Sequence, residues 1–220
     1  MSYPNRQGFL VVPPAGQGPG VLVLHAWWGL NDTVKSVCSR LAEAGYVAYA
    51  PDLYHGQIAA TIPEAEALVK ALDGDHAQAD LAAAVHYLNT RAGPGGLAVV
   101  GFSLGAFFAL GLAAADPAHI RAVVLFYGTG SDDCGQSQAA YLGHFAEADP
   151  FEPQANVDLL AQALRRAGRP VNFHQYPGTG HWFFEPDRQD AYNQAAAALA
   201  WERTLTFLAD TLPSGSNRAG

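Results

Sequence analysis

The sequence predicts an α/β fold in which a mostly parallel sheet is covered by helices on both faces. Three observations predict it. Short apolar runs alternate with longer stretches of helical periodicity along most of the chain. Most of those runs end in Gly, Pro or a polar residue and lack strict apolar–polar alternation, as central strands of a parallel sheet do. No internal repeat or central linker divides the 220 residues. One domain over 1–220 is therefore expected, with a loose polar tail at about 213–220.

In chain order, Phe9–Val12 is expected as an antiparallel edge strand. Central strands are expected over Val21–His25, Tyr46–Ala50, Leu97–Val100, Ala122–Tyr127, Ala140–Phe145 and Val171–Tyr176. Between them, Asp32–Ala44 places Val34, Val37, Cys38 and Leu41 at three- and four-residue spacing, one buried helical stripe. Asn31 or Asp32 can cap its start and Gly45 can end it. Further helices are expected over Glu64–Leu72, Asp75–Arg91, Leu104–Ala115, Val157–Ala167 and Arg188–Ala209. The segment Pro13–Gly20, rich in Pro and Gly, reads as loose.

Composition excludes some functions. A net charge of −8 argues against nucleic acid or an anionic membrane surface as partner, since both need a basic footprint. Met1–Gln7 lacks the apolar stretch of a signal peptide, and no apolar run approaches the ~20 residues a bilayer span needs. Cys38 and Cys134 form no ligand spacing or disulfide framework. The expectation is a cytoplasmic protein, monomer or homodimer, that needs no metal or cofactor. Neither a phosphate loop nor a dinucleotide fingerprint is present.

In such folds ligands bind beyond the carboxyl ends of the strands. There Leu97–Val100 runs into Gly101-Phe102-Ser103-Leu104-Gly105 and then an apolar helix. Gly-x-Ser-x-Gly between strand and helix marks a nucleophilic serine on a tight turn, where side chains at Gly101 and Gly105 would meet backbone. The Leu104 N–H, at the helix start, is an oxyanion donor. A chance match is the alternative in a Gly-rich chain, and the flanking strand and helix oppose it.

A serine hydroxyl needs a base. Of eight histidines, His181 follows the last strand on the glycine-rich loop Tyr176–Gly180, and chain order also favours it. An exposed loop histidine is the alternative. His86, His119 and His174 fall in helix or strand patterns, and His25 at a strand end is ambiguous. The acid that orients the imidazole must lie between Ser103 and His181, and the residues alone leave Asp149, Glu147 and Asp133 open. Asp158 is expected to open or lie within a helix and is a capping candidate.

The chain resembles the dienelactone hydrolase family, and with it the α/β-hydrolase fold. The blocks carrying the resemblance are His25–Asn31, Ala50–Gly56, Gly101–Gly105, Asp149–Pro153, Tyr176–His181 and Ala200–Arg203. The resemblance implies that Asp149 is the acid and that the Trp27 backbone N–H is the second oxyanion donor. Three departures stand out. The best-known members use cysteine where this chain has Ser103, and glutamate where it has Ala26. Their arginine after the histidine, which holds a substrate carboxylate, has no counterpart in Trp182-Phe183-Phe184-Glu185. A serine can rely on histidine alone, so losing thiol and glutamate together is chemically coherent. A carboxylated dienelactone is a poor expectation as substrate.

Trp27, Trp28, Trp182, Phe183 and Phe184 flank the oxyanion and histidine loops, and an aromatic wall would favour an uncharged substrate group. Simple packing of the loops is the alternative. The sequence thus predicts a hydrolase of small esters or lactones with Ser103, His181 and Asp149. Its rivals are a thioesterase and a non-catalytic ligand-binding scaffold.

Overall fold

A computed structural model describes residues 8–130 and 135–212. The strands are β1 (Gly8–Val11), β2 (Gly20–Leu24), β3 (Val47–Pro51), β4 (Leu97–Phe102), β5 (Ile120–Phe126), β6 (Ala140–Ala146) and β7 (Val171–Tyr176). The helices are α1 (Asp32–Glu43), α2 (Ile62–Ala71), α3 (Gly74–Asn89), α4 (Leu104–Ala115), α5 (Gln154–Arg166) and α6 (Gln194–Thr211). The seven strands lie in the order β1-β3-β2-β4-β5-β6-β7. Only β1 runs antiparallel, pairing Gly8 with Pro51 at the sheet edge.

Successive residues of a strand point to opposite faces, and the apolar side chains divide accordingly. Val21, Val23, Val100 and Val124 join one core with α1 and α6 residues such as Val37, Leu41, Ala200 and Leu208. Leu22, Leu24, Val99 and Leu125 join the other with Leu88 of α3, Ala109 of α4 and Leu160 of α5. Both faces are therefore covered, which explains the continuous apolar runs. The register aligns Leu24 with Gly101, Phe102 with Phe126, and Ala146 with Tyr176. The loops that follow these strands consequently open on one edge of the sheet.

Local signals account for most boundaries. The Asn31 side chain accepts the Val34 N–H at 3.1 Å and starts α1, and Gly45 follows its end with φ 97°. Thr61 and Glu64 form a reciprocal capping box at α2. Three expectations need correction. The last helix starts at Gln194, not Arg188, because Asn193 caps it by accepting the Ala196 N–H at 3.0 Å. Before that cap, Asp187 and Arg188 are engaged with α1 and neighbouring loops. The stretch read as loose is tied down: Gly18 accepts the Gly93 N–H at 2.8 Å and Pro19 that of Val47 at 2.9 Å. Asp158 lies within α5, where its carboxylate accepts from Gln154, and does not cap it. The tail at 213–220, together with Asp132, Asp133 and Cys134, falls outside the described residues.

Between β4 and α4 the backbone is crowded enough to need both glycines. A side chain at Gly101 would run into the backbone of Gly105, and one at Gly105 into the carbonyl oxygen of Leu24. Since the obstacles are backbone atoms that cannot rotate away, Gly105→Ala should destabilise the protein by about 1–3 kcal/mol, the usual range for overpacking. Urea unfolding monitored by fluorescence measures it; an unchanged midpoint would contradict this account of the turn.

Candidate active site

Ser103 occupies the single step from β4 to α4, at φ 50° and ψ −110°. Residues other than glycine rarely adopt positive φ, and such strain costs on the order of 1–3 kcal/mol. The Ser103 N–H donates to the Phe126 carbonyl at 2.9 Å, and its own carbonyl accepts from Ala106 at 2.8 Å. These bonds lock the turn and leave the side chain raised above the sheet edge. Leu104 opens α4, so its N–H is among the first-turn donors that no helical carbonyl can satisfy.

His181 reaches Ser103 from the loop after β7, with Nε2 3.0 Å from the Ser103 Oγ. Its Nδ1 is 2.7 Å from Oδ2 of Asp149, in the loop after β6. The other Asp149 oxygen accepts the Phe151 and Glu152 N–H groups at 2.9 and 3.0 Å. An acceptor-only carboxylate makes Nδ1 the protonated nitrogen and leaves the Nε2 lone pair for the serine. The side chains of His181 and Asp149 are only 5% and 3% exposed, which shields the pair from competing water. Glu152 in turn accepts the Thr129 N–H and hydroxyl at 2.7 and 2.9 Å, joining the loop after β6 to the loop after β5.

The remaining sequence candidates separate cleanly. Glu147 accepts the Gly178 N–H at 2.9 Å and braces the turn before His181 from outside. His25 is buried: its Nδ1 lies 2.6 Å from the Ala26 carbonyl, while Nε2 accepts the Leu53 N–H at 3.2 Å. Burial lowers its pKa, so it is a neutral strut between two loops. His119 lies in a turn before β5, paired with Asp116, not in a strand or helix. Among the described residues no group of three potential metal ligands converges, and no helix is long and apolar enough to cross a membrane.

The aromatic residues need a correction. Trp28 and Phe183 are 2% and 0% exposed and pack beneath the site instead of walling its open side. The partly exposed face consists of Trp27, Trp182 and Phe151, with ring centroids 5.0–6.0 Å apart. Phe151 and Trp182 each also lie against the His181 ring, at 5.1 and 5.0 Å. Sequence reasoning missed Phe151, although its place two residues beyond Asp149 was the available signal.

It also missed the stitching of segment 181–193. Asp187 accepts the Thr33 hydroxyl at 2.6 Å and the Asn31 amide at 3.2 Å. Arg188 stacks over Trp28 at 3.8 Å and donates to the Ala60 carbonyl. Glu185, 3% exposed, accepts the Tyr127 hydroxyl at 2.7 Å. Burial pushes the Glu185 carboxyl up to about 8; the Tyr127 hydrogen bond opposes the rise and Asp187 adds to it.

A sheet with one antiparallel edge, and a Gly-x-Ser-x-Gly turn facing a histidine and an aspartate, define the α/β-hydrolase class. The dienelactone hydrolase family model matches residues 7–212. Protein usf of Aquifex pyrophilus is 31% identical over 217 residues, covering 94% of each chain. An Aquifex aeolicus protein provisionally named carboxymethylenebutenolidase is 30% identical over 208 residues, covering 90% of each. A crystal structure from Klebsiella pneumoniae, provisionally identified as a dienelactone hydrolase, superposes with TM-score 0.82 at 27% identity over 92% of both chains. The chain belongs to the dienelactone hydrolase family.

The raised Glu185 pKa has a consequence for stability. Between about 4.5 and about 8 the folded protein holds a proton that the unfolded chain has released. Stability from this group is complete below that window and falls as pH rises through it. Glu185→Gln, which cannot ionise, should therefore gain melting temperature relative to wild type between about pH 5 and about pH 9. A difference that does not change with pH would show that Glu185 titrates normally.

Proposed function

We propose that the protein hydrolyses small, uncharged carboxylic esters or lactones through an acyl-enzyme on Ser103. The observation that carries this reading is the Ser103–His181–Asp149 chain, at 3.0 and 2.7 Å. In the first half-reaction the Ser103 Oγ attacks the carbonyl carbon while His181 Nε2 accepts the hydroxyl proton. The carbonyl oxygen gains negative charge, which the backbone N–H groups of Leu104 and Trp27 would stabilise. As the tetrahedral centre collapses, the C–O bond breaks and His181 returns its proton to the leaving alkoxide. Water then repeats the sequence against the acyl-enzyme and regenerates Ser103. Asp149 holds the imidazole in place and stabilises the imidazolium.

The substrate reading rests on the aromatic face of Trp27, Phe151 and Trp182, which carries no charge to hold a substrate carboxylate. Where cysteine members of the family are expected to have an arginine after the histidine, Glu185 is buried and bonded to Tyr127. A Bradyrhizobium relative, 32% identical over 223 residues, is named for a lactone that itself carries a carboxylate, so it supports lactones within the substrate range and not the absence of charge.

A fluorophosphonate reacts only with an activated serine, so wild type should label stoichiometrically and Ser103→Ala not at all. Ester hydrolysis by Ser103→Ala should fall by at least about a thousandfold; retention of a tenth of the rate would refute the mechanism. Asp149→Asn should preserve the shape but favour the wrong tautomer, lowering kcat about 10⁴-fold. Asp133→Asn should change kcat little, and the opposite ranking in a steady-state assay would move the acid to Asp133.

Position 26 offers a further check on the serine chemistry. Serine is never a standing anion, so a carboxylate beside the oxyanion site would only oppose the developing charge. Ala26→Glu should lower kcat/KM in the Ser103 enzyme and partly rescue Ser103→Cys. A double-mutant cycle on the folded fraction measures this, since Ala26 is 3% exposed and the larger side chain also overpacks. Coupling below about 0.5 kcal/mol would mean that the two positions act independently.

A further inference from the structure

Glu185 is a carboxyl group that the triad chemistry does not use, buried where burial is costly. It lines a crevice with Ala26, Trp28, Gly29 and Phe102, and with Asn31, Thr33 and Val34 at the start of α1, too tight to hold a water molecule. Ala26, Trp28 and Gly29 belong to the loop after β2, which carries the Trp27 backbone N–H. Glu185 itself belongs to the segment that carries His181. The crevice is thus the seam where the oxyanion loop and the α1 start that follows it meet the histidine loop. Tyr127 meets Glu185 from the end of β5: its hydroxyl donates to Glu185 at 2.7 Å and its ring lies 4.9 Å from the His181 ring. Tyr127 sits at φ 37°, held by donating its N–H to the His144 carbonyl at 2.8 Å.

We propose that Glu185 is a positioning residue, whose neutral carboxyl, bonded to Tyr127, keeps the His181 segment seated against the loop after β2. The inference rests on the proposed serine mechanism. An ionised Glu185 would need water that the seam cannot hold, so charging it favours opening the seam and parting the base from the oxyanion donor. The same charge would oppose the oxyanion. It would add little for the imidazolium, because Asp149 already holds Nδ1 at 2.7 Å.

The charged and titratable groups acting on Glu185 are Tyr127 across the seam, and Asp187 and Arg188 on its own segment. Asp187 accepts from Asn31 and Thr33 of the α1 start, which do not titrate, and pairs with the Arg188 guanidinium at 3.2 Å. Burial holds Tyr127 well above its ordinary range, so it stays protonated where Glu185 changes charge.

The test is kcat/KM against pH, from about 6 to about 9.5, for an uncharged ester, each profile normalised to its own value at pH 7. Wild type should fall along an alkaline limb with its midpoint near about 8. Glu185→Gln, which keeps an acceptor for Tyr127 but cannot ionise, should lack that alkaline limb. In Tyr127→Phe, the lost hydrogen bond no longer favours the charged carboxylate, so the limb should move to higher pH. A wild-type profile without a limb overturns the inference, as does a limb that persists unmoved in Glu185→Gln. If wild type neither hydrolyses esters nor labels with fluorophosphonate, the proposed function fails and takes this inference with it. Labelling and turnover with an unchanged limb defeat the positioning role alone.

Discussion

The backbone at Ser103 is the constraint on which the site depends. Held at φ 50°, the residue persists in a rarely populated conformation only because its surroundings over-determine it. Gly101 and Gly105 let the strand and helix approach until each backbone touches the other or Leu24. The buried β4–β5 pairing supplies the Phe126 carbonyl that fixes the Ser103 N–H. Helix α4, an almost wholly apolar segment, is anchored against the sheet and cannot drift to relieve the turn. Relaxing the serine would therefore mean unpacking the centre of the molecule.

Around that fixed point the remaining groups arrive on loops, and a second set of contacts makes those loops rigid. Asp149 is stiffened by two backbone donors from its own turn, and Glu152 ties the same turn to Thr129. The His181 segment is fastened along its length by Glu185 to Tyr127, Asp187 to Asn31 and Thr33, and Arg188 to Trp28 and Ala60. Three carboxylates near one histidine thus have three separate duties, assigned by what each can reach. Asp149 alone touches the imidazole, Glu152 meets backbone and hydroxyl donors, and Glu185 sits in a dry seam where its neutral form is favoured. That division lets a negatively charged chain keep excess charge away from the place where an oxyanion would form.

Much of the fold was legible because it is written in short-range pattern. Central strands and most helices followed from apolar runs, period and caps, and Asn31 and Gly45 bound α1 as expected. The start of α6 was not, because Arg188–Asn193 has helical composition, yet Asp187 just before it is held by Asn31 and Thr33 and Arg188 reaches the Ala60 carbonyl, contacts far away in sequence. Trp28 and Trp182 read alike along the chain; only the packing of Arg188 and the underlying core separated a buried ring from a partly exposed one.

The sequence by itself determined the strand–turn–helix at Ser103 and the loop position of His181, because glycine spacing, apolar period and chain order are local properties. It could not choose among Asp149, Glu147 and Asp133 without the family resemblance, since all three are acidic residues in loops after the nucleophile. The tertiary structure separated two of them by register. The pairing of β6 with β7 brings Asp149 within 2.7 Å of the imidazole and turns Glu147 to the Gly178 N–H. It also decided the state of Glu185, whose charge depends on water being excluded by residues from three distant segments. Burial and distance are properties of the folded chain, and no local pattern encodes them.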